Sequence, residues 1–197
     1  MGLKEILITI GIVVAAVGLI ILAVWLRARL LVKKGVYTRK KVAGILSGYA
    51  ALRRYKVLKD VSIPVSSGSV LCDFVVVGIF GVLVVNCLEA NGEVYCNLSA
   101  DRWAVAGKKK TVKVENPIKR TEKGVFAMRE HFSRQKLYKM QIDSISVYSP
   151  KSVPCDAGGL PLVSLKKLKS MLEREKYHTD NGVDMEKVAR VLTGGSL

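Results

Sequence analysis

The chain has 197 residues, half of them hydrophobic, and carries 32 Lys and Arg against 16 Asp and Glu, a net charge of +16. Setting aside an apolar N-terminus leaves roughly 160 residues, enough for one domain with a sizeable core and too few for two comfortable ones. Four cysteines, Cys72, Cys87, Cys96 and Cys155, lack CxxC spacing, and His131 and His178 lie far from each other in sequence. That usage argues against a disulfide framework and against a zinc site, and we read the cysteines as free, mostly buried thiols.

From Ile6 to Leu26 runs a stretch of 21 uncharged residues, mostly Ile, Leu and Val. As a helix it reaches about 30 Å, the thickness of a bilayer's hydrocarbon core, so it reads as a transmembrane span. Trp25 supplies an interfacial ring, and Arg27 and Arg29 supply stop-transfer charge where a signal peptide would have a small-residue cleavage site. Before the span stands only Lys4, beside Glu5, whereas Arg27 to Lys59 holds eleven basic residues and no acid. The asymmetry places a short N-terminus (residues 1–5) outside and everything beyond a basic juxtamembrane linker (residues 27–35) in the cytoplasm, in a single-pass protein of the cell membrane.

Val36 to Leu52 places Val42, Ile45, Leu46, Tyr49 and Leu52 at helical spacing, with Arg39, Lys40, Lys41 and Arg53 opposite, which predicts an amphipathic helix. Tyr55 to Pro64 reads as a strand closed by the turn cluster of Pro64, Ser66, Ser67 and Gly68. Val70 to Leu88 contains two β-branched runs around Gly78-Ile79-Phe80-Gly81 and predicts a buried hairpin. Its uncharged part, Phe74 to Val85, is too short for a second membrane crossing. Gly92 to Leu98 and Trp103 to Lys113 read as further strands, the latter folded about Gly107 and Lys108, Lys109 and Lys110. Asn116-Pro117 opens a helix to about Lys136, since Asn caps well and Pro is tolerated in a first turn. Ile142 to Ser149 is a strand, followed by a loop through Pro150, Pro154, Gly158 and Gly159. A last amphipathic helix is expected over Leu165 to Tyr177, with another turn or two over Asp184 to Leu192 and a frayed Gly194-Gly195-Ser196 end. This order gives an α/β domain, a mixed sheet with flanking helices, over residues 36–150, with 151–197 packed on it or trailing it.

Residues 61–100 hold no Lys or Arg, while 101–140 hold twelve against four acids. Two basic blocks around an apolar centre imply an anionic partner, either lipid headgroups beside the anchor or DNA or RNA further out. Fixing of topology accounts by itself for Arg27 to Lys34.

The stretch Cys72 to Leu88 resembles the nuclease-related domain (NERD) family, whose fold is similar to that of restriction endonucleases. The family motif is Ile-Asp and a β-branched strand, a turn with an aromatic and Gly, a second strand, then Glu-x-Lys. Laid on it without a gap, Asp73 matches the Asp, Phe80-Gly81 the turn, Asn86 the Glu and Leu88 the Lys. Gly92, Tyr95, Trp103 and Asn116-Pro117-Ile118 extend the resemblance over residues 36–148. It implies a site where two carboxylates hold Mg²⁺ or Mn²⁺ and a lysine steadies developing charge. Of these only Asp73 is present; Asn86 is a poor ligand for a hard cation, Leu88 carries no charge, and Arg120 stands where the family often has Gln. We read Asp73 as a carboxylate satisfied locally rather than as a metal ligand, and Trp103 and Phe80 as core.

The resemblance and the charge together give a vestigial site of Asp73, Asn86 and Leu88 in a pseudoenzyme with no assigned cofactor, acting by binding DNA or RNA. Candidate anion-binding residues are Arg39, Lys40, Lys41, Arg53, Arg54, Lys108, Lys109, Lys110, Lys119 and Arg120. Two other readings stand beside it: a module that binds protein or anionic lipid through the basic helix, and an active nuclease in which Glu89 or Glu93 replaces the missing acid.

Overall fold

The computed structural model describes residues 3–33, 36–66, 68–90, 92–107, 111–150 and 161–194. Lys108, Lys109 and Lys110, Cys155, most of the loop after Pro150 and the last three residues lie outside that set.

Helix α1 (Leu3–Lys33) does not stop at Leu26 but carries on through Arg27 and Arg29. Within it Ile10–Leu30 is long and apolar enough to cross a membrane, and none of it is buried against the rest of the chain. With residues 34–36 between them, α2 (Tyr37–Arg53) follows, and it ends on Arg54 in the left-handed region, φ 57°. Then come β1 (Lys56–Val65), β2 (Gly68–Gly78) and β3 (Gly81–Cys87), paired antiparallel in turn. The β2–β3 hairpin is as tight as its glycines imply. Gly81 has φ +127°, and a Cβ there would stand 2.3 Å from the carbonyl oxygen of Gln141, so only glycine fits.

After β4 (Glu93–Tyr95), β5 (Arg102–Ala106) and β6 (Thr111–Glu115), helix α3 (Pro117–Arg134) crosses over to β7 (Ile142–Tyr148), which lies parallel to β3. Strand β8 (Leu162–Ser164) adds parallel to β7, giving a mixed five-stranded sheet in the order β1-β2-β3-β7-β8. The expected mixed α/β architecture is therefore the one observed. Alternation along the central strands supplies both faces. Phe74, Val76, Leu83 and Val85 pack beneath α2 with α4 (Leu168–Leu172), whereas Val75, Val77, Val82 and Val84 pack beneath α3 with α5 (Met185–Leu192).

Three expectations need correction. Strands β4, β5 and β6 do not join the main sheet but form their own antiparallel one. The chain leaves the β3 ladder after Cys87, and Leu88, Val94, Trp103, Val105 and Ile118 close a third apolar cluster. The helix expected over Leu165 to Tyr177 is only α4 and a 3-10 turn, Glu175–Tyr177. Arg174 is extended, which sets Tyr177 into the core so that its carbonyl accepts from the hydroxyls of Tyr49 and Tyr55, at 3.4 and 3.2 Å. Strand β8 was not expected at all. Three residues of Leu-Val-Ser have no period to read, and it exists through pairing with β7.

Candidate functional site

Asn86 on β3 faces α3, continuing the alternation that buries Val82 and Val84, and Asp73 on β2 sits where that strand's alternation breaks, since Cys72 packs in the same cluster as Val75 and Val77. Asp73 is 2% exposed and Asn86 fully buried. A buried carboxylate must be matched by charge or donors, and Asp73 is matched three times. Its Oδ2 accepts from the Cys87 amide at 2.8 Å and from the Arg120 guanidinium, and its Oδ1 stands 3.8 Å from Arg39 Nη1. Arg39 comes from α2 and Arg120 from α3, so guanidiniums from two helices bracket one acid.

Asn86 does not reach the carboxylate. Its Oδ1 accepts from the Asp73 amide at 2.9 Å and its Nδ2 donates to Thr121 Oγ1 at 3.0 Å. Thr121 in turn donates to the Pro117 carbonyl, and Ser146 on β7 completes the cluster 2.9 Å from the Thr121 hydroxyl. The network therefore ties β2, β3 and β7 to the first turn of α3. That turn is fixed by Asn116, whose Oδ1 accepts from the amides of Ile118 and Lys119 at 3.0 and 3.4 Å. Leu88 is 2% exposed in the third apolar cluster, with Trp103, and Phe80 is buried edge-on against Tyr55 and Tyr177.

Two more acids belong here. Asp60 falls between Lys59, opposite Phe74, and Val61, opposite Cys72, and it pairs with Arg39. Burial works against the charge on Arg39, yet Asp73 and Asp60 hold its pKa above the ordinary value. Glu89 lies past the end of β3 and is thereby turned back toward the site. Desolvation raises its pKa, which Arg39 opposes and Asp73 reinforces, and its Oε1 has no hydrogen-bond partner. Glu93, on β4, is exposed in the second sheet. Cys72 and Cys87 are buried free thiols; burial pushes Cys72 up to about 11 and Cys87 higher still, so neither is a nucleophile at neutral pH.

The donors present do not fit a resident divalent cation. Asp73 is committed to Arg120, Cys87 and Arg39, the Asn86 oxygen is committed to a main-chain amide, and Leu88 offers nothing. Among the described residues no three His, Cys, Asp or Glu side chains are grouped so as to hold a metal.

The basic residues are not one open patch. Arg39 and Arg120 are held by Asp60 and Asp73, Arg53 pairs with Glu173 at 2.7 Å over the Tyr49 ring, and Lys119 pairs with Asp101 at 3.1 Å. Lys40, Lys41 and Arg54 are exposed and, among the described residues, enter no ion pair. Arg29 stacks on the Trp25 ring at 4.0 Å, and Arg27 and Leu26 are exposed beside it. The roles of Asp60, Thr121 and Ser146 were missed by sequence reasoning. The only signal for Thr121 was its place one turn after Asn116-Pro117, which orients it toward the sheet.

No curated protein and no solved structure matches the chain. The family model described as nuclease-related domain, NERD, matches residues 34–149. The chain therefore belongs to the nuclease-related domain family, and Asp73, Asn86 and the start of α3 lie inside the matched region.

Proposed function

We propose that this protein is a membrane-tethered member of its family whose nuclease-like site is catalytically silent, and that it acts by binding nucleic acid from the cytoplasmic side. The observation that carries the reading is the capture of Asp73 by Arg120 and the Cys87 amide, with Arg39 beyond. Phosphodiester hydrolysis at such a site needs an acid pair free to hold a metal and a cation free to meet the phosphate. Here the retained acid and the nearest cations neutralise one another. The apolar α1, with Arg27, Arg29 and the other basic residues behind it, supports a single crossing with the domain in the cytoplasm.

The test uses the full chain in nanodiscs, offered labelled DNA and RNA with Mg²⁺ or Mn²⁺ beside an Asp73→Ala variant. The reading expects no cleavage by either, and binding that weakens steeply as salt rises. Cleavage lost in the variant would instead make this an enzyme with Glu89 as the second acid, the reading favoured by its unpartnered buried oxygen beside Asp73. A lipid-surface role for α2 is favoured by Lys40 and Lys41, exposed three to four residues into a helix that starts just past α1. It predicts binding to anionic vesicles that Lys40→Glu with Lys41→Glu abolishes.

A further inference from the structure

Of the four phenylalanines, Phe74, Phe80 and Phe132 are buried, but Phe126 on α3 is 71% exposed. Tyr138, just past the end of the same helix, is 73% exposed. The two rings are joined by a continuous surface. Arg129 lies one turn after Phe126 on the same face, and Ser133 one turn further. Arg129, Ser133 and Tyr138 then line one open cleft. Lys136, Lys139 and Lys187 line a second cleft on the other side of Tyr138.

The chain reversal that presents Tyr138 is built in. Lys136 takes the left-handed conformation, φ 58°, that glycine usually fills after a helix, and the Leu137 amide turns back to the Phe132 carbonyl at 2.8 Å. Arg129, Lys136 and Lys139 are exposed and, among the described residues, enter no ion pair. Nearby carboxylates are already used: Glu130 pairs with Arg134, and Asp184 caps α5 through the Lys187 amide at 2.9 Å. Glu122 is exposed a turn before Phe126.

Arg120, at the start of α3, and Ser133 are separated by about 20 Å of helix. Ion pairs fill the Arg120 end, whereas unneutralised cations and bare aromatic rings mark the other.

We infer that the surface formed by Phe126, Arg129, Lys136, Tyr138 and Lys139 is a binding platform for single-stranded nucleic acid, separate from the nuclease-like site. This rests on the nucleic-acid reading above and assigns it a place. Bare rings stack on unpaired bases, which a duplex does not offer, while the flanking cations meet phosphates without needing a particular sequence. Phe126 is about 10 Å along the helix from Ser133, which shares a cleft with Tyr138, so the surface is longer than a single base.

The experiment measures anisotropy of labelled oligouridylate and of a hairpin duplex with the full chain in phosphatidylcholine nanodiscs, which present no anionic lipid. Four forms are compared: wild type, Phe126→Ala with Tyr138→Ala, Arg129→Glu with Lys136→Glu, and Tyr95→Ala, which removes an exposed ring on the second sheet. All substituted side chains are exposed, and unchanged melting checks the fold. We expect tighter binding of the single strand, weakened about tenfold or more by loss of the Phe126 and Tyr138 rings and little by loss of the Tyr95 ring. Arg129→Glu with Lys136→Glu should also flatten the salt dependence. If wild type binds and the double ring variant stays within about twofold of it, the platform is wrong while nucleic-acid binding survives. Preference for the duplex overturns the single-strand assignment, and absence of binding at low salt removes the broader reading too.

Discussion

Replacing Arg120 with Met keeps the apolar stem of the side chain but removes the charge and the donors that meet Asp73. Breaking a fully buried ion pair from one side costs about 3–5 kcal/mol, because a charge is left uncompensated. Two features reduce that here. The Arg120 side chain is 21% exposed, so water screens part of the interaction, and Arg39 with the Cys87 amide still faces the carboxylate. About 2–3 kcal/mol is the expected loss. For a domain of this size that lowers Tm by about 4–12 °C. The assay is urea unfolding of the full chain in detergent, followed by fluorescence of the buried Trp103, for Arg120→Met, Asp73→Asn and the double variant. Because both singles break the same contact, the double should be less destabilised than their sum by at least about 1 kcal/mol. Additivity within about 0.5 kcal/mol would mean that Arg120 and Asp73 do not hold one another, and the account of a self-neutralised site would fail with it.

Other perturbations test other parts. Gly81→Ala should destabilise by more than about 2 kcal/mol in the same unfolding assay, as its Cβ meets a main-chain oxygen at a positive φ. Glu89 has a raised pKa, chiefly from burial, so its favourable contribution is full below the unfolded value of about 4.3 and is lost as pH rises through the folded value. Glu89→Gln should therefore stabilise the protein at pH 7 and make no difference near pH 4, as urea midpoints at the two pH values will report. Asp143 behaves oppositely: burial pushes its pKa up, but Lys176, the Tyr177 hydroxyl and the Ser144 amide together hold it below the ordinary range. Its contribution is present above the unfolded value of about 3.9 and lost as pH falls, so the stability gap between wild type and Asp143→Asn should be widest at neutral pH and close in acid.

Local pattern made much of the architecture legible. A run of uncharged residues is its own evidence for α1, since length and polarity alone decide whether a helix can cross a bilayer. The β2–β3 hairpin shows in its β-branched runs and bracketing glycines, and α3 in Asn116-Pro117, because turn and cap preferences depend on neighbours in sequence. The order of these signals also carried the family.

What the sequence left open was decided by contacts between distant residues. Nothing near Asp73 announces that Arg120, 47 positions away, will fill its hydrogen-bonding capacity, or that Arg39 will bridge it to Asp60. A count of charges therefore gave the basic residues as one anion-binding set, and folding divided them into neutralised and free. Tertiary packing also cut the second sheet away from the first and broke the helix expected over Leu165 to Tyr177, where seating one ring in the core outweighed helical periodicity. It likewise left Phe126 bare on a helix whose other aromatic, Phe132, is buried, since which face of α3 meets the sheet is set by what packs there. The amino-acid sequence by itself determined most of the elements and the family; only the tertiary structure decided β8, the break after α4 and which charges cancel, because pairing energy depends on distance and desolvation, and neither exists until the chain has folded.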